Sequence, residues 1–253
     1  MTRILAITNQ KGGVGKTTTA INLSACLARS SSRVLLVDTD PQGNATVGSG
    51  LSMRELEFGI YEVLLGEVDI ASAIVTVGAG YDMLPSHPDL SGAQVEMGEM
   101  ERRDFRLRDA IESLDGRYDI IVIDCPPSLN VLTVNALVAA REVLIPVQCE
   151  YYALEGLTSL METVDLVRQG LNPELKVLGL VRTMFDSRNS LAHEVSDQLR
   201  EHFDDALFRS VIPRNVRLAE APSYGMPVIE YDRQCAGSQA YLALACEVLR
   251  RQP

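Results

Sequence analysis

Short apolar, β-branched runs alternate along the chain with longer segments whose apolar residues recur at helical spacing. Several runs are apolar at every position, which is typical of strands buried on both faces of a parallel sheet. The predicted strands are residues 3–8, 33–38, 81–86, 118–124, 142–148, 176–183 and 209–213. The predicted helices are residues 16–30, 104–114, 128–140, 152–170, 190–203 and 237–251.

This order of elements predicts an α/β fold. Repeated strand-then-helix units with right-handed crossovers give a doubly wound, mostly parallel sheet with helices on both faces. The polar stretch 91–103, "SGAQVEMGEMERR", is expected at the surface. Because the sequence shows no repeat, low-complexity tract or linker, residues 1–253 are predicted to form one domain.

Composition narrows the functional classes. Hydrophobic content of 46% and charged content of 23% are ordinary for a soluble globular protein. The net charge of −11 argues against a general cationic surface for nucleic acid, although a local basic face is still possible. Trp is absent and aromatics make up 5% of the chain, so a base-stacking platform for single strands is not expected.

Cysteine spacing and hydropathy indicate the compartment. The five cysteines are widely spaced, which predicts reduced, mostly buried thiols in a cytoplasmic protein. The three histidines do not cluster with them, so no zinc site is expected. The N-terminal "MTRILAITNQ" leads into a strand without a signal-peptide core. No stretch approaches the ~20 apolar residues of a membrane-spanning helix.

The stretch "NQKGGVGKTTT", residues 9–19, follows a predicted strand and opens a predicted helix. That context is typical of a phosphate-binding loop. Gln10, however, stands where the pattern G-x-x-x-x-G-K-[ST] begins with Gly, and Lys11 is an additional lysine. The loop glycines would turn backbone N–H groups toward phosphate oxygens, at the positive end of a helix. The loop residues expected to bind phosphate are Gly12, Gly13, Val14, Gly15, Lys16, Thr17 and Thr18.

Within this loop, Lys16 would reach the β- and γ-phosphates and the Thr17 hydroxyl would bind Mg²⁺. A glycine-rich turn without a ligand is one alternative. Dinucleotide binding is another, since Gly13 and Gly15 form G-x-G and Asp38 ends the next strand. That fingerprint lacks its third glycine, because position 18 is Thr.

Acidic residues at two strand ends favour a nucleoside triphosphatase. Asp124 ends the strand "DIIVID", at the edge where open α/β sheets bind ligands, and could hold Mg²⁺. Asp38 and Asp40 lie in "VDTDPQGNAT", and either could orient a water beside the γ-phosphate. Pro41 and Gly43 also mark this stretch as a turn, and the two interpretations are compatible.

These stretches together resemble the ParA-type chromosome and plasmid partition ATPases, over nearly the whole chain. The resemblance rests on "KGGVGKTT", "VLLVDTDPQGNAT", "DIIVIDCPPSL", "VLIPVQCEYYALEGL" and "VIPRNVRLAEAPSYGMPVIEYD". It implies that Gln10 is normal for a deviant Walker A loop. It also implies that Lys11 reaches the nucleotide of a second subunit in an ATP-bound sandwich dimer.

The resemblance assigns further roles. Asp40 would position the hydrolytic water, while Thr17, Asp124 and Asp38 would support Mg²⁺. The catalytic residues would then be Lys11, Lys16 and Asp40, and the residues against adenine would be Pro213, Arg214 and Asn215. Hydrolysis is expected to be slow in the isolated enzyme, because the loop motifs contain no arginine finger.

The resemblance also implies two partners, nonspecific double-stranded DNA and a ParB-type centromere-binding protein. Arg188 and Arg217 match arginines implicated in DNA contact, and a few such cations doubled by dimer symmetry suffice for sequence-independent binding. Residues 182–217 contain six arginines and six acids, so weak, salt-sensitive binding is expected. The protein would then be cytoplasmic and associated with the nucleoid.

Related functions in the wider group remain as alternatives. A MinD-like ATPase would need a membrane-targeting amphipathic tail, whereas apolar positions 242, 244, 245, 248 and 249 are expected to pack as a final helix. No membrane partner is therefore expected. An iron–sulfur role lacks supporting cysteines, and Cys125 is expected to be a buried small residue. The main alternative is a positioning switch for a non-DNA cargo, such as a division or polar assembly.

Overall fold

The computed structural model describes residues 2–251, which contain one eight-stranded sheet. The strands are β1 Arg3–Ile7, β2 Val34–Asp38, β3 Val75–Thr76, β4 Asp82–Leu84, β5 Ile120–Asp124, β6 Glu142–Gln148, β7 Lys176–Phe185 and β8 Leu207–Pro213. Their order is β3-β4-β2-β5-β1-β6-β7-β8. Every neighbouring pair is parallel except β3 with β4, which is antiparallel.

Twelve α-helices connect and cover these strands within residues 2–251. They are α1 Lys16–Arg29, α2 Asn44–Gly48, α3 Ile60–Leu65, α4 Ile70–Ala73, α5 Leu90–Glu96, α6 Arg106–Glu112, α7 Val131–Ala139, α8 Ala153–Gly170, α9 Ser190–Phe203, α10 Val216–Glu220, α11 Val228–Tyr231 and α12 Ala236–Arg250. Short 3₁₀ turns lie at Met97–Glu99, Arg103–Phe105, Asp204–Ala206 and Ala221–Tyr224.

Helices cover both faces of the sheet, because successive strand residues point to opposite sides. In β1, Leu5 and Ile7 belong to the core layer that includes α1 and α12. Ile4 and Ala6 belong to the other layer, which includes α6, α7 and α8. A Leu→Ala change in either layer should cost about 2–5 kcal/mol of unfolding free energy. The predicted doubly wound, mostly parallel α/β fold is confirmed.

The structure corrects the prediction for residues 91–103. This stretch is not only polar surface, because it contains most of α5 and the following 3₁₀ turn. Ala93 and Met97 are fully buried in the core layer that includes α6, and α5 packs against α3. Polar neighbours hid these apolar contacts in the sequence. The two-residue strand β3 was also missed, since it is too short to show a periodic pattern.

The predicted final helix is present as α12. Leu244, Ala245 and Val248 are buried as expected, but Leu249 is 40% exposed and its assignment to the packed face was wrong. The prediction of mostly buried cysteines is confirmed for Cys26, Cys125 and Cys149. Within residues 2–251, no helix combines the length and the apolar character needed to cross a bilayer.

Two turns meet back to back beside the carboxyl edge of the sheet. Gly50, which follows α2, and Gly225, which ends the 221–224 turn, both have left-handed backbone, with φ of 88° and 64°. A Cβ on Gly50 would lie 2.9 Å from the Gly225 carbonyl oxygen, and one on Gly225 would lie 2.6 Å from the Gly50 Cα. Both positions therefore require glycine for conformation and for space.

Candidate nucleotide-binding site

The glycine-rich loop joins the end of β1 to the start of α1. Gly13 and Gly15 have φ of 74° and 86°, a left-handed backbone that other residues adopt only with strain. Val14 between them is buried, and its carbonyl accepts a hydrogen bond of 2.8 Å from the Thr183 hydroxyl of β7. The loop is thus fixed to the sheet, with the positive end of α1 beginning at Lys16.

Lys16 is only 7% exposed, and its Nζ donates to the Lys11 carbonyl at 3.2 Å. Burial lowers the pKa of the ammonium, while the carboxyl groups of Asp124 and Asp40 oppose that shift. A buried cation at a helix N-terminus is suited to an anionic ligand, because phosphate oxygens would supply the hydrogen bonds that solvent cannot.

Asp124 and Asp38 end the adjacent strands β5 and β2 and are directly paired in register. The Oδ2 of Asp124 accepts a 2.7 Å hydrogen bond from the Thr17 hydroxyl, and its Oδ1 is buried with no partner within residues 2–251. Burial, together with the charge of Asp38, raises the pKa of Asp124. An unpartnered carboxylate oxygen beside a hydroxyl is the hard-oxygen donor set that Mg²⁺ prefers, so Thr17 and Asp124 fit this ion.

Asp38 is fully buried and is held from three sides. Its Oδ2 accepts from the Thr46 amide at 2.8 Å and the Thr46 hydroxyl at 2.7 Å, and its Oδ1 accepts from the Asp40 amide at 3.1 Å. Burial raises the pKa of Asp38, although the Thr46 hydrogen bonds oppose that shift. Both oxygens are engaged within the chain, so Asp38 braces the loop that contains Asp40.

Two adjoining cavities flank the glycine-rich loop. The larger, of about 520 Å³, is bordered by the loop, Asp40, Gln42, Pro127 and Met226. The smaller, of about 200 Å³, is bordered by Thr183, Leu218, Tyr241 and the β8 end. The residues lining both cavities are Gly15, Thr18 and Met184. A ligand with a phosphate chain and a flat apolar ring could therefore span the two around Gly15.

The three residues predicted to contact adenine, Pro213, Arg214 and Asn215, all line the smaller cavity. The Asn215 side-chain oxygen is already used, because it caps α10 by accepting from the Arg217 amide at 3.0 Å. Met184, which has a positive φ of 49°, borders both cavities and was missed. It is distant in sequence from the loop, so no local motif points to it.

Lys11 lies apart from the other loop residues. It does not line the larger cavity, whereas Gly12, Gly13 and Lys16 do. Its Nζ lies 2.8 Å from a carboxylate oxygen of Glu150, and both side chains are partly exposed. The ammonium group is therefore held by Glu150, outside the lining of the larger cavity. Sequence reasoning missed Glu150 as its partner, because only the fold brings the two together.

The two candidate DNA-binding arginines follow the ends of neighbouring strands. Arg188 comes after β7 and Arg217 after β8, so both lie beyond the carboxyl edge of the sheet. Each is exposed and is paired with a nearby acid: Arg188 with Asp186 at 2.8 Å and Arg217 with Glu220 at 2.7 Å. The topology brings both arginines to one edge, and local acids neutralise both.

The strand–loop–helix unit with its buried lysine, hydroxyl and strand-end carboxylate defines a P-loop nucleotide-binding protein of the deviant Walker A class. Residues 2–177 match the family model described as an AAA domain. Over 253 residues the chain is 55% identical to the chromosome partitioning protein ParA of Caulobacter vibrioides, covering 99% of this chain and 95% of that one. Over 249 residues it is 50% identical to the sporulation initiation inhibitor protein Soj of Bacillus subtilis, covering 98% of both.

A solved structure of another named protein shares this fold. The chain superposes with a TM-score of 0.88 on cobyrinic acid a,c-diamide synthase from Mycobacterium smegmatis, solved with ADP and magnesium. Identity is 38%, and the match covers 99% of this chain and 95% of that one. The chain belongs to the ParA/Soj family of chromosome-partitioning ATPases, as its motifs predict.

Proposed function

We propose that the chain is a Mg²⁺-dependent ATPase that forms an ATP-bound sandwich dimer, binds DNA without sequence preference and releases it on hydrolysis. With a ParB-type centromere-binding partner, this cycle would segregate a chromosome or plasmid. The observation that supports the proposal best is the separation of the two loop lysines. Lys16 lines the larger cavity, whereas the Lys11 ammonium is paired with Glu150 and does not line it.

The cavities support ATP as the nucleotide. In the proposed complex, the triphosphate lies in the larger cavity against the loop amides and Lys16, and adenine lies against Pro213 to Asn215 in the smaller cavity. Magnesium, held by Thr17 and Asp124, would neutralise charge on the phosphate oxygens. Asp38 would act indirectly, by keeping the Asp40 loop in place through its bonds to Thr46 and the Asp40 amide.

Hydrolysis requires a positioned water, and Asp40 is suited to orient it. Asp40 is 8% exposed, borders the larger cavity and keeps one carboxylate oxygen on the Gln42 amide at 2.9 Å. No arginine within residues 2–251 lines this cavity. Since phosphoryl transfer depends on cations that stabilise the transition state, turnover by the isolated chain should be slow. Lys11 of a second subunit would supply one such cation.

Dimerisation is supported by the position of Lys11, which is partly exposed and does not line the larger cavity of its own subunit. Such a lysine would be available to a nucleotide bound to a second copy, so that ATP becomes part of the interface and stabilises the dimer by mass action. DNA binding is supported by the position of Arg188 and Arg217 at one edge, doubled by dimer symmetry. The net charge of −11 and the two local ion pairs favour weak, salt-sensitive DNA binding. The protein would then be cytoplasmic and associated with the nucleoid.

The test is co-sedimentation with random-sequence duplex DNA in ATP and in ADP, from about 50 to about 200 mM salt. We expect binding that needs ATP, weakens with salt and is lost in Arg217→Glu. The matched control is Arg168→Glu on α8. Arg168 is 51% exposed and pairs three residues away with Asp165 at 2.8 Å, much as the 50% exposed Arg217 pairs with Glu220.

Equal loss of binding in the Arg168→Glu control would show that Arg217 acts only through net charge. Absence of binding in both nucleotides, with ATP-driven dimers still forming, would overturn the DNA part of the proposal. The chain would then be a positioning switch for a non-DNA cargo. Absence of ATP-driven dimers would overturn the proposed cycle itself.

A further inference from the structure

Gln10 occupies the position where the ordinary phosphate-binding pattern has its first glycine, and its amide is bound at both ends by α8. The Gln10 Nε2 donates to the Thr163 hydroxyl at 3.0 Å, and its Oε1 accepts from the Ser159 hydroxyl at 3.2 Å. Ser159 and Thr163 lie four residues apart, on one face of the helix. A glycine here could make neither bond.

The residues on either side of Gln10 are also fixed. The Asn9 side chain donates to the Pro146 carbonyl of β6 at 2.8 Å and accepts from the Lys11 amide at 2.9 Å. The Lys11 carbonyl accepts from Lys16. The Lys11 backbone is therefore held at its amide by Asn9 and at its carbonyl by Lys16, and the side chain of the preceding residue, Gln10, is held by α8. The Lys11 side chain extends to Glu150 and does not line the larger cavity.

We propose that Gln10 is a positioning residue for Lys11. By binding the loop entrance to α8, Gln10 keeps the Lys11 ammonium beside Glu150 and outside its own larger cavity, where it would be available to a nucleotide in a second copy. The inference rests on the proposed function, since it concerns the same site. It also makes α8 the element whose displacement would move Lys11.

A purely structural role predicts different behaviour. The Thr163 hydroxyl also donates to the Ser159 carbonyl of its own helix at 3.1 Å, so it keeps a partner when the Gln10 amide is removed. Ser159 is exposed, so its hydroxyl can bond to water. Removal of the Gln10 side chain thus leaves neither hydroxyl buried and unsatisfied, and stability should change little. Effects on dimerisation can then be separated from effects on folding.

The experiment compares wild type with Gln10→Ala, with the double variant Ser159→Ala/Thr163→Val, and with both sets of changes combined. The control is Thr158→Ala, an exposed α8 position whose hydroxyl bonds to the Leu154 carbonyl of its own helix. Three quantities are measured: affinity for a fluorescent ADP analogue, the dimer dissociation constant in a non-hydrolysable ATP analogue, and the kcat and KM of ATP turnover.

We expect Gln10→Ala to keep its ADP-analogue affinity within about twofold of wild type while the dimer dissociation constant rises about tenfold or more. The value of kcat should fall and KM should change little. The α8 double variant should reproduce these effects, and the combined variant should be no worse, because both remove the same bonds. Gln10→Asn, which is one methylene shorter, should not restore dimerisation.

Two results for Gln10→Ala would overturn the inference alone. One is a dimer dissociation constant in Gln10→Ala within twofold of wild type. The other is a parallel loss of ADP-analogue affinity, which would make Gln10 a support for the phosphate loop as a whole. If wild type itself does not dimerise in the ATP analogue, the proposed sandwich fails and this inference fails with it. If wild type dimerises and Gln10→Ala dimerises equally well, this inference fails but the proposed sandwich dimer stands.

Discussion

In the nucleotide site Lys16, Asp38 and Asp124 are buried and hydrogen-bonded to loop and helix residues, whereas the two candidate DNA-binding arginines are exposed and paired with nearby acids. Asp38 receives two hydrogen bonds from Thr46 of α2 and one from the Asp40 amide of the loop between them. Arg188, in contrast, is 87% exposed and bonds to an acid two residues away. The buried charges of the nucleotide site are shielded from water, so a bound ligand would stabilise them. The two exposed arginines are already paired with acids and hydrated. The two regions should therefore respond very differently to substitution.

The largest effect should come from Lys16→Ala. Charge-assisted hydrogen bonds are worth about 1.5–3 kcal/mol each, so loss of the ammonium should weaken ADP-analogue binding by about 100-fold or more. The variant should still fold, because it removes a buried cation whose pKa burial already lowers. Titration of a fluorescent ADP analogue checks this. Lys176→Ala, which removes the chain's third lysine at an exposed position, should bind as wild type does.

A smaller and more selective effect is expected for Lys11→Ala. ADP-analogue affinity should stay within about threefold, because the side chain does not line the larger cavity. ATP-driven dimerisation should weaken about tenfold or more, since an interfacial charge contact is lost. Sedimentation velocity in a non-hydrolysable ATP analogue measures the dimer. Equal losses of ADP and dimer affinity would instead place Lys11 with the cis phosphate contacts.

Removing an acidic partner of Arg188 or Arg217 should strengthen DNA binding, whereas the lysine substitutions weaken binding. Asp186→Asn frees Arg188 from its carboxylate. Glu220→Gln removes the closer partner of Arg217 and leaves Asp232 at 3.5 Å. Each should strengthen duplex binding about two- to fivefold at about 50 mM salt, with a steeper salt dependence. Asp165→Asn, which frees Arg168 on α8, is the control for net charge. A gain equal to the control would mean that these two arginines have no special position.

The smallest effect concerns an acid that is bound by backbone, as in the nucleotide site, but lies at the sheet edge. Glu247 of α12 accepts from the amides of Arg209 and Ser210 at 2.8 and 2.9 Å. Burial opposes its ionisation, but these donors outweigh burial and lower its pKa. Glu247→Gln should cost about 1 kcal/mol of unfolding free energy at pH 7.

The contribution of Glu247 to the free energy of unfolding should depend on pH. A carboxyl whose pKa is lower in the folded state stabilises the protein above its ordinary pKa of 4.5 and loses this contribution as the pH falls through the folded value. Urea unfolding of both proteins between pH 7 and pH 4 should therefore show a gap that narrows toward the acid end. A gap that widens would contradict the assignment.

The sequence was sufficient for the parts of the molecule that are local. The glycine-rich loop predicted a strand, a turn and a helix at the right residues, because left-handed glycines and an adjacent lysine have few other uses. The ends of β2 and β5 were predicted from another local pattern. Both are continuous apolar runs that end at an acid, and parallel pairing brings such ends together.

Contacts between distant segments could not be predicted. Thr183 anchors Val14 from β7, Met184 lies between the two cavities, and Glu150 meets Lys11. None of these side chains has a spacing that marks it, because their roles come from the strand order. The buried side of 91–103 was missed for a related reason. One apolar residue per turn suffices where a short helix covers a larger core.

The contact between Gly50 and Gly225 has a mechanical consequence. The turn at Gly50 ends the segment that begins with Asp40, and the turn at Gly225 follows the segment that contains Arg217. The two backbones touch with no space for a single methyl group, so they have no slack. Neither turn can move closer to the other, because backbone already meets backbone there. The spacing between the end of the Asp40 segment and the end of the Arg217 segment is therefore set by two glycines.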